Sequence, residues 1–248
     1  MIEILGHRGP DGDGIYTDPD GKAVLGHRRL SIIDTSDAGR QPMASADGRY
    51  VITYNGEVYN YLELRRELES SYRFTTRTDT EVVLAAYERW GEDCLDRFVG
   101  MFSFVIWDEI EKVAFAARDR FGVKPFYYSV RGDGTFVFAS EIKAIHAAGV
   151  PKLINDAIWA TFLTYGVLDH SDKCFWQDIA SLPGGHCLLW KNGTLTVRKW
   201  YEIFEKTGID FDTRPDREVS EEYLALMRNS VGIRFRSDVP VGINLSGG

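Results

Sequence analysis

Cysteine is scarce in this chain: its 248 residues hold three, Cys94, Cys174 and Cys187, with no Cys-x-x-Cys pair. An odd, scattered set excludes a disulfide framework and fits reduced, buried thiols in a cytoplasmic compartment. Positive charge is also scarce. The formal net charge of −8 argues against a phosphate-backbone surface, because nucleic-acid binders concentrate Lys and Arg, so small molecules are the expected partners. Long apolar runs are missing as well: the stretch 101–107 is among the longest and is too short to span a bilayer. Glu3, His7, Arg8 and Asp11 stand where a signal peptide needs apolar residues. No internal repeat and no low-complexity tract occurs. What remains, 44% hydrophobic and 27% charged residues, is a globular composition able to bury a core, with length for one large domain or one domain and part of another.

The pattern along the chain alternates strands and capped helices. Residues 50–54 are β-branched and aromatic and are expected to end at Asn55-Gly56, a turn dipeptide. Asn60 with Glu63, and Thr78 with Glu81, have the spacing of helix capping boxes, predicting helices over 61–69 and from 79 to Gly91. Residues 101–107, 113–117, 125–129 and 135–139 read as strands joined by short connections, predicting antiparallel hairpin neighbours covered on both faces. Helices are expected over 141–148 and 156–165, and a hairpin over 187–197 turns on Asn192-Gly193. Residues 204–217, with alternating charge, Gly208 and Pro215, read as a linker. An amphipathic helix over 219–233 is expected to turn Val219, Tyr223, Leu226, Met227 and Val231 inward. A strand over 239–245 then follows, ending in Ser246-Gly247-Gly248. Helix, strand and glycine turn form the opening of an α/β nucleotide domain, whose backbone N–H groups suit phosphate.

Several ordered motifs carry a family resemblance: His7-Arg8-Gly9-Pro10-Asp11-Gly12, His27-Arg28-Arg29-Leu30-Ser31-Ile32-Ile33-Asp34, Tyr54-Asn55-Gly56-Glu57-Val58-Tyr59-Asn60 and Thr78-Asp79-Thr80-Glu81. With residues 118–128, 139–144 and 237–248, the chain resembles glutamine-hydrolysing asparagine synthetases over essentially its whole length. The resemblance implies an α+β fold, a four-layer αββα sandwich of antiparallel sheets of the N-terminal-nucleophile hydrolase type, over 1–203. The linker and the first helix and strand of a synthetase domain, 218–248, would follow.

It implies site residues too. Arg29 would grip the glutamine α-carboxylate, a planar anion suited to guanidinium, with backbone contacts from Ile32 and Ile33. Glu57 and Asp79 would accept from the substrate's N–H donors. Asn55 and Gly56 would form the oxyanion hole. Leu245, Ser246, Gly247 and Gly248 would begin the ATP site, and ATP with Mg2+, aspartate and glutamine would be the small molecules of the complete enzyme, a possible homodimer. No metal ligand is assigned within the chain.

The chain departs from that pattern at its start. Such glutaminases use a first-residue Cys activated by its own α-amine, whereas this sequence begins Met1-Ile2-Glu3-Ile4. The expectation is a truncated, catalytically silent synthetase. A relative amidating another carboxylate and a glutamine-binding module without chemistry stay open beside it.

Overall fold

Apolar residues on both faces decide where the central strands lie. The computed structural model describes residues 1–168, 171–208 and 211–244. In it β4 (Tyr50–Val58), β5 (Gly100–Asp108) and β6 (Val113–Arg118) pair antiparallel in continuous register. Ile52, Tyr54, Phe104, Ile106 and Phe115 project to one side, and Val51, Val105, Trp107, Ala114 and Ala116 to the other. This is the strict alternation of a sheet buried on both faces. With β3 (Met43–Ala44), β10 (His186–Lys191) and β11 (Thr194–Lys199) they form a six-stranded sheet in the order β11-β10-β6-β5-β4-β3. The β10–β11 hairpin turns on Asn192 and Gly193, both at positive φ, as a two-residue loop requires.

Helices α1 (Tyr61–Leu68), α2 (Asp79–Trp90) and α3 (Cys94–Arg97) cover the first face with Leu64, Leu68, Val82, Val83 and Leu95. Against the second face lie two smaller sheets. One pairs β1 (Gly12–Thr17) with β2 (Val24–Arg29); the other orders β7 (Tyr127–Val130), β8 (Phe136–Ala139) and β9 (Ala180–Ser181) as β8-β7-β9. Phe136 and Phe138 join the intersheet core, while Val137 and Ala139 pack with Ala144 and Ile145 of α4 (Ile142–Ala147). The result is an α+β fold layered helix, sheet, sheet, helix. Beyond it lie α5 (Asp156–Tyr165), the short α6 (Ile203–Lys206) and α7 (Asp216–Ile233). No helix among the described residues is long and apolar enough to cross a membrane.

Several local expectations are corrected. Asn55-Gly56 makes no turn: β4 runs through both, opposite Ser103 and Phe102, because β5 offers a full-length partner. Asn60 does not cap α1; its side chain instead donates to Arg97 O and accepts from Val99 N–H, tying α1 to the approach to β5. Thr78 does cap α2 by accepting from Glu81 N–H, but the Glu81 carboxylate takes the N–H groups of Thr75 and Thr76 in place of completing the box. The link from β6 to β7 is a crossover between sheets. The Asp119 carboxylate accepts N–H groups from Phe102, Phe121, Val123 and Lys124 and so steers the chain across. Helix α7 buries none of its apolar residues, with Tyr223 and Leu226 each 61% exposed. Residues 239–244 form no strand, since no described segment pairs with them. Leu245, the end of that expected strand, lies outside the described residues.

Candidate functional site

All seven residues expected to handle glutamine meet in one place. Arg29, Ile32, Ile33, Asn55, Gly56, Glu57 and Asp79 line a single cavity of about 970 Å³ between β2, β4, β5 and β8. Sequence separation hides this, because the cavity is made by the register of the strands.

The edge of β4 supplies its polar core. In an antiparallel strand every second N–H points to the same side. Tyr54 N–H donates to Gln41 Oε1 at 2.7 Å and Val58 N–H to Asp79 Oδ2 at 3.0 Å, both on the edge away from β5. Gly56 lies between them, so its N–H leaves the same edge, and no acceptor among the described residues takes it. The side chains of Asn55 and Glu57 share the Val51 face of the strand, which is the cavity face. The Asn55 amide donates to Ser140 Oγ at 3.4 Å, just beyond the end of β8.

Arg29, at the end of β2, is held from outside the cavity. Its Nη1 donates to Ser36 O at 2.7 Å and its Nη2 to Ile33 O at 3.4 Å and to Asp34 O. The loop that follows β2 therefore wraps the guanidinium with its own carbonyls, leaving the Nε–H and one Nη1–H for a ligand. Ile32 and Ile33 are brought to the cavity by that wrapping.

The same cavity is lined by two carboxylates. Asp79, in the first turn of α2 and 5% exposed, accepts from Tyr54 OH at 2.7 Å as well as from Val58 N–H. Burial raises its pKa above the ordinary value against the pull of those donors. Glu57 is raised too, first by burial and then by the Asp79 charge, with Lys124 opposing. Two carboxylates held above their ordinary range form a site that gains from a cation.

The sequence motifs contained, but did not single out, three further cavity residues: His27, Lys124 and Ser140. His27 shares Thr53 Oγ1 through Nδ1 at 3.3 Å, and burial followed by the Arg29 charge presses its pKa from 6.5 to about 4. The unfolded state then takes up a proton on His27 that the folded state refuses. Stability is full above about pH 6.5 and falls as pH drops toward about 4. His27→Gln should remove about 3 kcal/mol of that acid loss, read by denaturant melts at neutral and acid pH; an unchanged acid slope would contradict this.

Other chemistry-bearing groups lie elsewhere. Cys94, Cys174 and Cys187 are buried outside the cavity, and burial pushes the Cys187 thiol up to about 11 and that of Cys94 higher still. No group of His, Cys, Asp and Glu among the described residues could hold a metal ion. The expected ATP residues Leu245, Ser246, Gly247 and Gly248 lie outside the described residues.

A family described as a glutamine amidotransferase domain matches residues 1–201. Asparagine synthetase [glutamine-hydrolyzing] 1 of Bacillus subtilis (strain 168) is 37% identical over 249 residues, covering 100% of this chain and 38% of that protein. Amidase chry2 of Gibberella zeae is 32% identical, covering 100% of this chain and 36% of that protein. The chain thus spans under two-fifths of the length of these two relatives. Among solved structures, the glutamine phosphoribosylpyrophosphate amidotransferase of B. subtilis, complexed with ADP and GMP, superposes with a TM-score of 0.60. It is 22% identical, over 81% of this chain and 45% of that one, and it shares the fold.

Proposed function

The chain belongs to the glutamine amidotransferase domain family, and we propose that its cavity binds L-glutamine for hydrolysis to glutamate and ammonia, in a polypeptide that uses the ammonia to make asparagine from aspartate. One observation carries the reading: a strand N–H without an acceptor among the described residues, that of Gly56, lines one cavity together with a guanidinium and a pair of carboxylates. That is the polar outline of an amino acid whose side chain ends in an amide.

The roles follow from chemistry. Arg29 takes the α-carboxylate through its remaining N–H groups, and Glu57 and Asp79 take the ammonium. This places the side-chain amide along β4. A thiolate attacking that carbonyl generates a tetrahedral oxyanion, which the Gly56 N–H and the Asn55 amide receive; ammonia leaves, and water then cleaves the thioester.

Residues 1–248 bring no thiol to this point. The nucleophile enters on a strand between β2 and β8. Among the described residues each of these strands has one edge unpaired and the Trp190 indole N–H, which lines the same cavity as both strands, has no acceptor. At about 970 Å³ the space is far larger than glutamine needs. The amidotransferase domain is assigned to 1–203, the linker to 204–217 and the start of the synthetase domain to 218–248. ATP with Mg2+ would serve that last domain in the complete polypeptide, beginning at Leu245–Gly248.

Arg29→Lys tests the binding reading. Lysine keeps the charge but not the fixed, planar set of N–H donors that the loop carbonyls orient, so the Kd for L-glutamine, measured calorimetrically, should rise about tenfold, a loss of ~1.4 kcal/mol. Unchanged affinity would reject Arg29 as the carboxylate clamp.

A further inference from the structure

The segment after α7 reaches back onto the loop that holds Arg29. Asp238 Oδ2 accepts the Asp34 N–H at 2.8 Å, and the Asp238 N–H donates to Ile32 O at 2.9 Å. The pair forms a two-point clip across Ile33. Arg236 anchors the clip to α1, with a bidentate pair to Glu63 at 2.6 and 2.7 Å and a bond to Tyr59 O at 2.6 Å. The Arg234 guanidinium lies over the Tyr59 ring, 5.0 Å from its centroid. Helix α7 itself buries no residue, so these contacts are a specific attachment at its end.

Asp34 is the part of the loop that most needs holding. Its φ is +52°, a left-handed conformation that a non-glycine residue keeps only when its surroundings fix it. Inside the fold its carboxylate takes Arg77 N–H at 2.9 Å and Ser36 Oγ–H at 2.6 Å, and its carbonyl accepts from Arg29. The N–H is satisfied from outside by Asp238.

We infer that Asp238 is a positioning residue for the glutamine site: by clipping Ile32 and Asp34 it sets the loop carbonyls that aim Arg29 at the cavity. The inference rests on the glutamine reading above. It also joins the cavity to the segment that follows α7, since Val239 lines a second cavity of about 370 Å³ together with Arg29. Any ligand that moves the 236–239 segment must then alter glutamine affinity, and glutamine must reciprocally alter that ligand's affinity.

The test uses the 248-residue chain as wild type, Asp238→Ala and Asp238→Asn. L-glutamine and its α-amide, which lacks the carboxylate, are titrated, and amide exchange at Asp34 is followed by NMR. Removing the acceptor in D238A leaves the Asp34 N–H without a partner, so the Kd for L-glutamine should rise about tenfold. The preference over the α-amide should collapse and Asp34 exchange should accelerate. D238N keeps an acceptor oxygen and should stay near wild type. A merely structural role would lower the melting temperature yet leave the glutamine to α-amide ratio intact. Unchanged affinity and preference in D238A overturn the inference. If wild type binds no glutamine, the functional reading fails on its own; unaltered Asp34 exchange in D238A would then overturn the clip separately.

Discussion

Placing a cysteine-led strand ahead of Met1, with the cysteine's α-amine free, is expected to yield glutamine hydrolysis, whereas residues 1–248 alone yield none above background. The proposed binding groups and oxyanion donors line the cavity without it, but such groups alone supply only a residue of the acceleration. Cys94, Cys174 and Cys187 cannot stand in, being buried away from the cavity, with the two whose shifts are clear pushed toward the inert thiol. The gain in ammonia release should be on the order of 10³-fold or more. Serine at the same place should lose most of it, because the alcohol is a weaker nucleophile than a thiolate. Turnover by residues 1–248 at a rate matching the extended chain would show that another group attacks, and the assignment of the space between β2 and β8 would fall.

The second large effect is structural. A Cβ at Gly56 would collide with Met101 O and stand 2.7 Å from Phe102 Cα and 2.8 Å from Phe102 Cβ. Two of these atoms are backbone of the paired strand, so no side-chain rotation relieves the clash. Gly100, opposite Val58, is equally crowded, with Val58 Cα 2.8 Å from its would-be Cβ. The close approach of β4 and β5 at this end is thus a two-glycine device, and it fixes where the Gly56 N–H leaves the edge. Gly56→Ala should cost about 3 kcal/mol or more and lower the Tm by roughly 6–12 °C. It should also abolish activity in the cysteine-extended chain by displacing the proposed oxyanion donor. Gly132→Ala, where a Cβ meets nothing within 4 Å, is the neutral control. Equal melting of the two variants would show that β4 and β5 can separate without loss.

How much of this was legible in the sequence depended on where each group gets its partner. Helix α2 and the strands β5, β6 and β8 were readable because their apolar residues follow the period of the element and their ends are marked locally. Asn55-Gly56 misled because a dipeptide favoured in turns is equally suited to a strand that needs a close neighbour, and the neighbour is β5, more than forty residues on. Asn60 misled in the same way, its true partners being Arg97 and Val99. The amphipathic pattern of α7 was real, but periodicity says that a face is apolar and cannot say which segment covers it.

At the site, the motifs named the seven residues, yet three things came only from the fold. One is the parity of β4 that leaves the Gly56 N–H unpartnered. Another is the encirclement of Arg29 by the carbonyls of Ile33, Asp34 and Ser36. The third is the reach of Asp238 across some two hundred residues to Asp34. Each depends on backbone direction, which residue type does not encode.

The central claim, that this cavity is built for glutamine, is tested most directly by a crystal structure of the chain soaked with L-glutamine. The α-carboxylate is expected on the Arg29 guanidinium, the ammonium between Glu57 and Asp79, and the side-chain carbonyl oxygen within hydrogen-bonding distance of the Gly56 N–H. Glutamine reversed in the cavity, with its carboxylate away from Arg29, or ordered only in the neighbouring space beside Val239, would contradict it.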